Sequence, residues 1–183
     1  MGMYQGKIVV LDVEKANNNH GSICQIGLIV VEKGVRVAEF ETLINPKDEF
    51  NYIHTGIHGI KPEDVINSPS MADIKDQLAA YFDNAVICSY GTSDKFAIGS
   101  YFDTKEMPWV DITRVVRNAL PVFKKGGFQL LKVAQYIGLM VNPNNHHNAL
   151  SDAEIAFDIL HFCLVEKRML LWTFYNVTNK NLI

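Results

Sequence analysis

Apolar residues recur along this 183-residue chain in two rhythms, and the changes of rhythm mark its elements. Residues 8–13 (IVVLDV) are a short β-branched apolar run of the kind that forms a buried strand. After the polar loop 16–22 come two more strand-like runs, SICQIGLIVVEKG and VRVAEFETLIN. They meet at Lys33-Gly34, a hairpin signal, so three successive strands predict an antiparallel meander. Residues 46–70 are rich in turn formers and carry little period, and read as one long connection. At residue 71 the spacing changes: Met71, Ile74, Leu78, Ala79 and Phe82 follow a helical period. Residues 85–90 (AVICSY) return to the strand pattern, and Thr92 or Ser93 can cap a helix that begins near Asp94.

Residues 109–120 predict a short strand that turns into a helix. Gly126-Gly127 precedes FQLLKVAQYIGL, a helix expected to end near Gly138. The last strong helix is expected from about Asn148 to Glu166. Strands first, then alternating helices and strands, predict an α/β fold with a mixed sheet covered by helices. No repeat, low-complexity tract or linker interrupts the chain. One domain is expected over 1–183, with its core at about 7–165 and a C-terminal helical extension at 166–183.

Composition narrows the classes. The chain is 48% hydrophobic and 20% charged, ordinary for a globular domain with one sizeable core. Its formal charge is -3. A protein that held nucleic acid by overall surface charge would be basic, so a polyanion partner here needs a local device such as metal ions. Cys24, Cys88 and Cys163 sit apart among apolar residues, which fits buried thiols in a reducing compartment. No secretory signal opens the chain, and the apolar run at 28–31 is too short to cross a bilayer. A cytoplasmic location without membrane contact is expected.

Three places carry candidate chemistry. In DVE (12–14), Asp12 and Glu14 lie two apart on a strand and share a face. Two such carboxylates repel unless a cation sits between them, and hard oxygen ligands select Mg²⁺ or Mn²⁺. The second D-x-E, Asp152-Ala153-Glu154, falls in the last helix, where residues two apart diverge by about 200°. Asp94, after a buried strand, is either a first-turn helix residue or a third ligand, with Asp111 as its rival. In HHNALSD (146–152), His147 can reach over a site that includes Asp152, or simply belong to a helix cap. His146 is expected to point away as a solvated loop residue. His54 and His58 lack cysteine partners for zinc. No phosphate-binding GxxxxGK[ST] and no GxSxG turn occurs.

Taken together, DVE, Asp94 and H-x-A-x-x-D (His147, Ala149, Asp152) resemble the DEDDh group of 3′–5′ exonucleases, which includes the proofreading epsilon subunit of bacterial replicative polymerase. The likeness spans about residues 7–165, and IHGIKPEDVINSPS (57–70) resembles a segment that members carry before the first long helix. It implies a ribonuclease-H-like fold, with an antiparallel meander plus parallel strands flanked by helices. It also implies two Mg²⁺ (or Mn²⁺) ions held by Asp12, Glu14, Asp94 and Asp152, with His147 as general base. The substrate would be the 3′ end of single-stranded or frayed DNA or RNA, and a polymerase or other nucleic-acid-processing protein is the implied partner. Asn17, His20, His58 and Tyr90 are the candidate substrate contacts, although loop filler is the plainer reading of the Asn run.

The chain departs from the family in two places. Lys15-Ala16 stands where a Thr-Gly pair is common, and Ser89-Tyr90-Gly91-Thr92-Ser93-Asp94 replaces the usual His-Asn-x-x-Phe-Asp. Two other function classes fit the same residues: a non-catalytic nucleic-acid-binding module, and a phosphodiesterase for very short oligonucleotides.

Overall fold

The computed structural model describes residues 5–142 and 146–174. Its sheet has five strands: β1 (Lys7–Lys15), β2 (Ile23–Glu32), β3 (Val35–Leu43), β4 (Ala85–Ser89) and β5 (Trp109–Asp111). They lie in the order β3-β2-β1-β4-β5. The first three pair antiparallel, as the meander pattern predicts, and β4 and β5 add parallel. The β2–β3 turn is tight because Lys33 (φ 48°) and Gly34 (φ 80°) both take left-handed backbone.

Helices cover both faces. The sheet alternates side chains, so β1 divides its residues between two cores. Val9, Leu11 and Val13 face α3 (Met71–Phe82) and α4 (Ser93–Ile98). Ile8 and Val10 face α5 (Ile112–Ala119), α6 (Leu130–Tyr136) and α7 (Ala149–Val165). Leu171 and Phe174, in a 3₁₀ turn, pack into this second core, while Trp172 stays exposed. Tyr175 lies outside the described residues.

The connection over 46–70 holds two short helices that hydrophobic spacing does not announce, α1 (Tyr52–His58) and α2 (Pro62–Val65). The reason is physical: α1 buries none of its residues, so it has no apolar stripe. Local chemistry forms it instead. The Asn51 side chain accepts from the Ile53 N–H, and Gly59 at φ 77° ends the helix. Pro62 starts α2 at a position where its missing N–H costs nothing.

One close contact sets the geometry of the rest. Gly27 sits on β2 directly opposite Asp12, on the face toward α7. A methyl group there would overlap the backbone of Ala149 and Leu150, the first residues of α7. Small buried residues continue the close approach at Ala149, Ala153 and Ala156. A Gly27→Ala substitution is expected to lower stability by about 1–3 kcal/mol, since the clash is with backbone that cannot rotate away. Thermal unfolding followed by circular dichroism checks this; an unchanged melting temperature would show that α7 does not rest on Gly27.

Candidate active site

The alternation that buries Ile8 and Val10 carries on to Asp12 and Glu14, which emerge on the α7 side at the end of β1. The ladder with β2 shifts register between Glu14 and Lys15, so the strand stops pairing regularly just past the carboxylates. The first turn of α7 faces them. Asp152, 4% exposed, projects from that turn. Oxygen atoms of Asp12, Glu14 and Asp152 all lie within 4.8 Å of one another.

A set of polar contacts clamps the start of α7 in this position. Asn148 caps the helix, its side chain accepting from the Ser151 N–H at 2.9 Å. Its amide also donates to Glu41 on β3 at 2.6 Å. The buried Gln25 accepts from the Ala149 N–H at 3.2 Å and donates to the same Glu41 carboxylate at 3.0 Å. The cap therefore belongs to Asn148, and His147 is free for another role.

Just before the cap, His147 takes left-handed backbone (φ 67°). Its N–H donates to Asp152 Oδ2 at 3.1 Å, and its ring Nδ1 lies 4.0 Å from Glu14 Oε1. The turn also corrects the expectation for His146. Its ring does not point away but stacks on His147, centroids 3.7 Å apart, with Nδ1 3.0 Å from Asp152 Oδ1. Adjacent side chains diverge in extended or helical backbone; at a left-handed residue they need not.

Asp94 is brought in from the other side, on the first turn of α4, 5% exposed. It lines the same cavity of about 360 Å³ as Asp12, Glu14, His147 and Asp152, though it lies outside the tight trio. Its rival Asp111 is spent as the cap of α5, accepting from the Thr113 N–H at 2.9 Å and from the Thr113 hydroxyl at 2.7 Å.

The four candidate substrate contacts fare differently. Tyr90 lines the cavity and donates its hydroxyl to the Phe128 carbonyl at 2.7 Å. His58 also lines it, but both ring nitrogens face backbone: Nδ1 accepts from the Ile60 N–H at 3.0 Å, and Nε2 sits 3.1 Å from the Lys15 carbonyl. That fixes His58 as a wall, with burial holding its pKa low. Asn17 is tied to Asn19 in its own loop and to the Glu49 carbonyl in the connection after β3, and His20 packs on Phe96; neither lines the cavity. Sequence reasoning passed over His146, Gln25 and Gly27. The readable signal was Gly27, since an isolated glycine in an apolar strand marks a close backbone approach.

Electrostatics define what the cavity lacks. Burial, then the charges of Asp94, Glu14 and Asp152, push the Asp12 carboxyl well above its ordinary range. Burial and the neighbouring Asp152 and Asp94 raise Glu14 to about 8. Burial raises Asp94 to about 7, against hydrogen bonds from its own backbone and that of Val13. His147 moves down, chiefly through burial and the adjacent His146. Crowded carboxylates that resist ionisation alone are what a hard divalent cation relieves, and oxygen donors in this number fit such an ion.

Comparison with known proteins agrees with this arrangement. Residues 9–160 match the RNase T exonuclease family. Among curated relatives, the PolC-type DNA polymerase III of Thermotoga petrophila is 26% identical over 170 residues, covering 88% of this chain and 12% of the polymerase. That of Lactococcus lactis is 26% identical over 174 residues, covering 91% and 10%. The chain thus spans about a tenth of the length of these relatives. Exonuclease X in complex with 5′-overhanging duplex DNA superposes with a TM-score of 0.71 at 19% identity, covering 91% of this chain and 96% of that one. The nuclease domain of 3′hExo, a DEDDh family member bound to rAMP, gives 0.71 at 13% identity, covering 97% and 99%. These neighbours share the ribonuclease-H-like fold seen here, and families of this kind are metal-dependent. With the match running from β1 into α7, the chain belongs to the exonuclease family.

Proposed function

We propose that this chain is a metal-dependent 3′–5′ exonuclease of the DEDDh type, releasing nucleoside monophosphates from single-stranded or frayed 3′ ends. The observation that carries the reading is the convergence of Asp12, Glu14 and Asp152 within 4.8 Å, with His147 at its rim and Asp94 in the same cavity. We take residues 1–183 as one exonuclease domain with its core at about 7–165. The polymerase names of the curated relatives support a polymerase as partner.

In this reading Asp12, Glu14, Asp94 and Asp152 hold two Mg²⁺ or Mn²⁺ ions. Such ions supply charge that favours attack by water and departure of the 3′ oxygen at a phosphodiester. His147 takes the proton from the attacking water. Its ring borders the cavity with Nδ1 turned toward Glu14. A lowered pKa keeps that imidazole neutral, and therefore able to accept, near neutral pH. The Asp152 carboxylate holds the His147 backbone through the N–H contact and so fixes the base over the cavity.

Three outcomes are expected. A 5′-labelled single strand given Mg²⁺ should shorten stepwise and release nucleoside monophosphates, with no reaction in EDTA; intact strand under both conditions would remove the catalytic reading in favour of a binding module. His147→Ala should lose about 10²–10⁴-fold in kcat while calorimetry still shows Mn²⁺ binding. Asp12→Ala should lose both, and full activity in either variant would overturn the role given to that residue.

A further expected outcome concerns pH. Glu14 binds its proton more tightly folded than unfolded, so the metal-free fold loses stability as pH rises from the ordinary 4.5 toward about 8. Melting temperature in EDTA should fall across that window, and Mn²⁺ should restore it most at the alkaline end. The fall should be shallower in Glu14→Gln. An identical slope in the variant would mean that the crowded carboxylates are not its source.

A further inference from the structure

The catalytic cavity opens onto others. Tyr90 and Leu130 are shared with a cavity of about 780 Å³. That cavity shares Arg117 with a third of about 330 Å³, and the third shares Arg114 with a fourth of about 340 Å³. The described lining of the last two contains no carboxylate and four cations besides Arg117: Arg114, Lys124, Lys95 and Lys105. None of the five is ion-paired among the described residues. They concentrate on the β5 side of the sheet, while Glu39 and Glu41 occupy β3 at the opposite edge. In a chain of net charge -3 these cavities gather cations, with the acids Asp103 and Glu106 beside Lys105 outside their lining.

The cavity next to the catalytic one has the chemistry of a nucleotide seat. The Arg117 guanidinium lies over the Phe128 ring, 4.9 Å from its centroid. Its Nε donates to the Thr113 carbonyl at 3.2 Å and one Nη to the Thr113 hydroxyl at 3.4 Å, which holds the guanidinium in place and leaves its remaining N–H groups for a phosphate and its outer face for a base. Gly126 (φ 137°) and Gly127 (φ 76°) border the same cavity, and open space lies where a side chain at Gly126 would project. A strand can therefore approach the backbone there. Asp111, the one carboxylate in this cavity, is engaged by Thr113. Arg114 and Arg117 follow at helical spacing along α5, placing the next cations on one face.

We propose that these adjoining cavities form one track for the sugar–phosphate backbone of a single strand, leading from the catalytic cleft past Arg117 and Phe128, along α5, to the pocket of Lys95, Lys105 and Arg114. The proposal rests on the exonuclease reading and deepens it: the substrate is a strand several nucleotides long, not a dinucleotide. Aromatic and guanidinium stacking beside an unpaired cationic groove is how single strands are held without regard to sequence.

The test compares wild type with Arg114→Ala/Lys124→Ala, both positions exposed and outside the catalytic cluster. Two readouts are used: kcat/KM with Mg²⁺ on a dinucleotide and on a single-stranded oligomer of about twelve nucleotides, and anisotropy of the labelled oligomer in EDTA. The double variant should lose about ten-fold in kcat/KM on the oligomer, through KM, and nothing on the dinucleotide. The slope of log affinity against log salt should fall by about 1.4, or 0.7 for each lost phosphate contact on a single strand. Equal rates for wild type and variant on the oligomer, or equal losses on both lengths, would overturn the track. A protein that hydrolyses neither substrate but shows the variant-sensitive salt slope would sink the catalytic reading and leave the track standing. An active protein whose oligomer binding ignores both cations would do the reverse.

Discussion

Mutual repulsion among crowded carboxylates is the constraint on which this site depends. Asp12, Glu14 and Asp152 meet within 4.8 Å, with Asp94 close enough to raise the pKa of both Asp12 and Glu14. Among the described residues the imidazoles of His146 and His147 are the only bases in ion-pair range, while Lys15, on the wall of the same cavity, favours the charged form of Asp94 without pairing with it. A fold does not gather four acids this way for its own stability, because each added charge makes the others harder to ionise. The arrangement fits the donor set of a divalent-cation site, which the proposed function fills.

The fold holds the acids in place by means other than their own charge. The period of a strand puts Asp12 and Glu14 on one face, and an absent side chain at Gly27 lets α7 settle against that face. Gln25, Glu41 and Asn148 then fix where the helix begins. Asp152 follows one turn later and inherits its position from that clamp. The position of the acids at one end of the sheet is thus set by close packing and by amide hydrogen bonds that join Gln25 and Asn148 to the Glu41 carboxylate.

Much of this was legible in the chain. Alternation in β1, the hairpin at Lys33-Gly34 and the apolar stripes of α3 and α7 are signals that burial itself writes, since each element must hide one face. The choice of Asp94 over Asp111 was not legible from position, because both follow a buried strand; the structure separates them by showing Asp111 occupied as a cap. The stacking of His146 on His147 depends on one left-handed residue, and nothing in the composition of HHNALSD specifies that backbone. Helix α1 buries no residue and so wrote no pattern. Net charge concealed most: a total of -3 hides both an acidic cavity and cavities lined by cations. In the proposed reading, metal ions are one local device for drawing in a polyanion, and the cations beside α5 are a second.

The account stands on cations completing the carboxylate cluster, and crystals soaked in Mn²⁺ test that most directly through anomalous scattering. We expect manganese peaks inside the cavity lined by Asp12, Glu14, Asp94 and Asp152. An empty cavity at saturating Mn²⁺, or manganese held by His146 and His147 with Asp12 untouched, would contradict it.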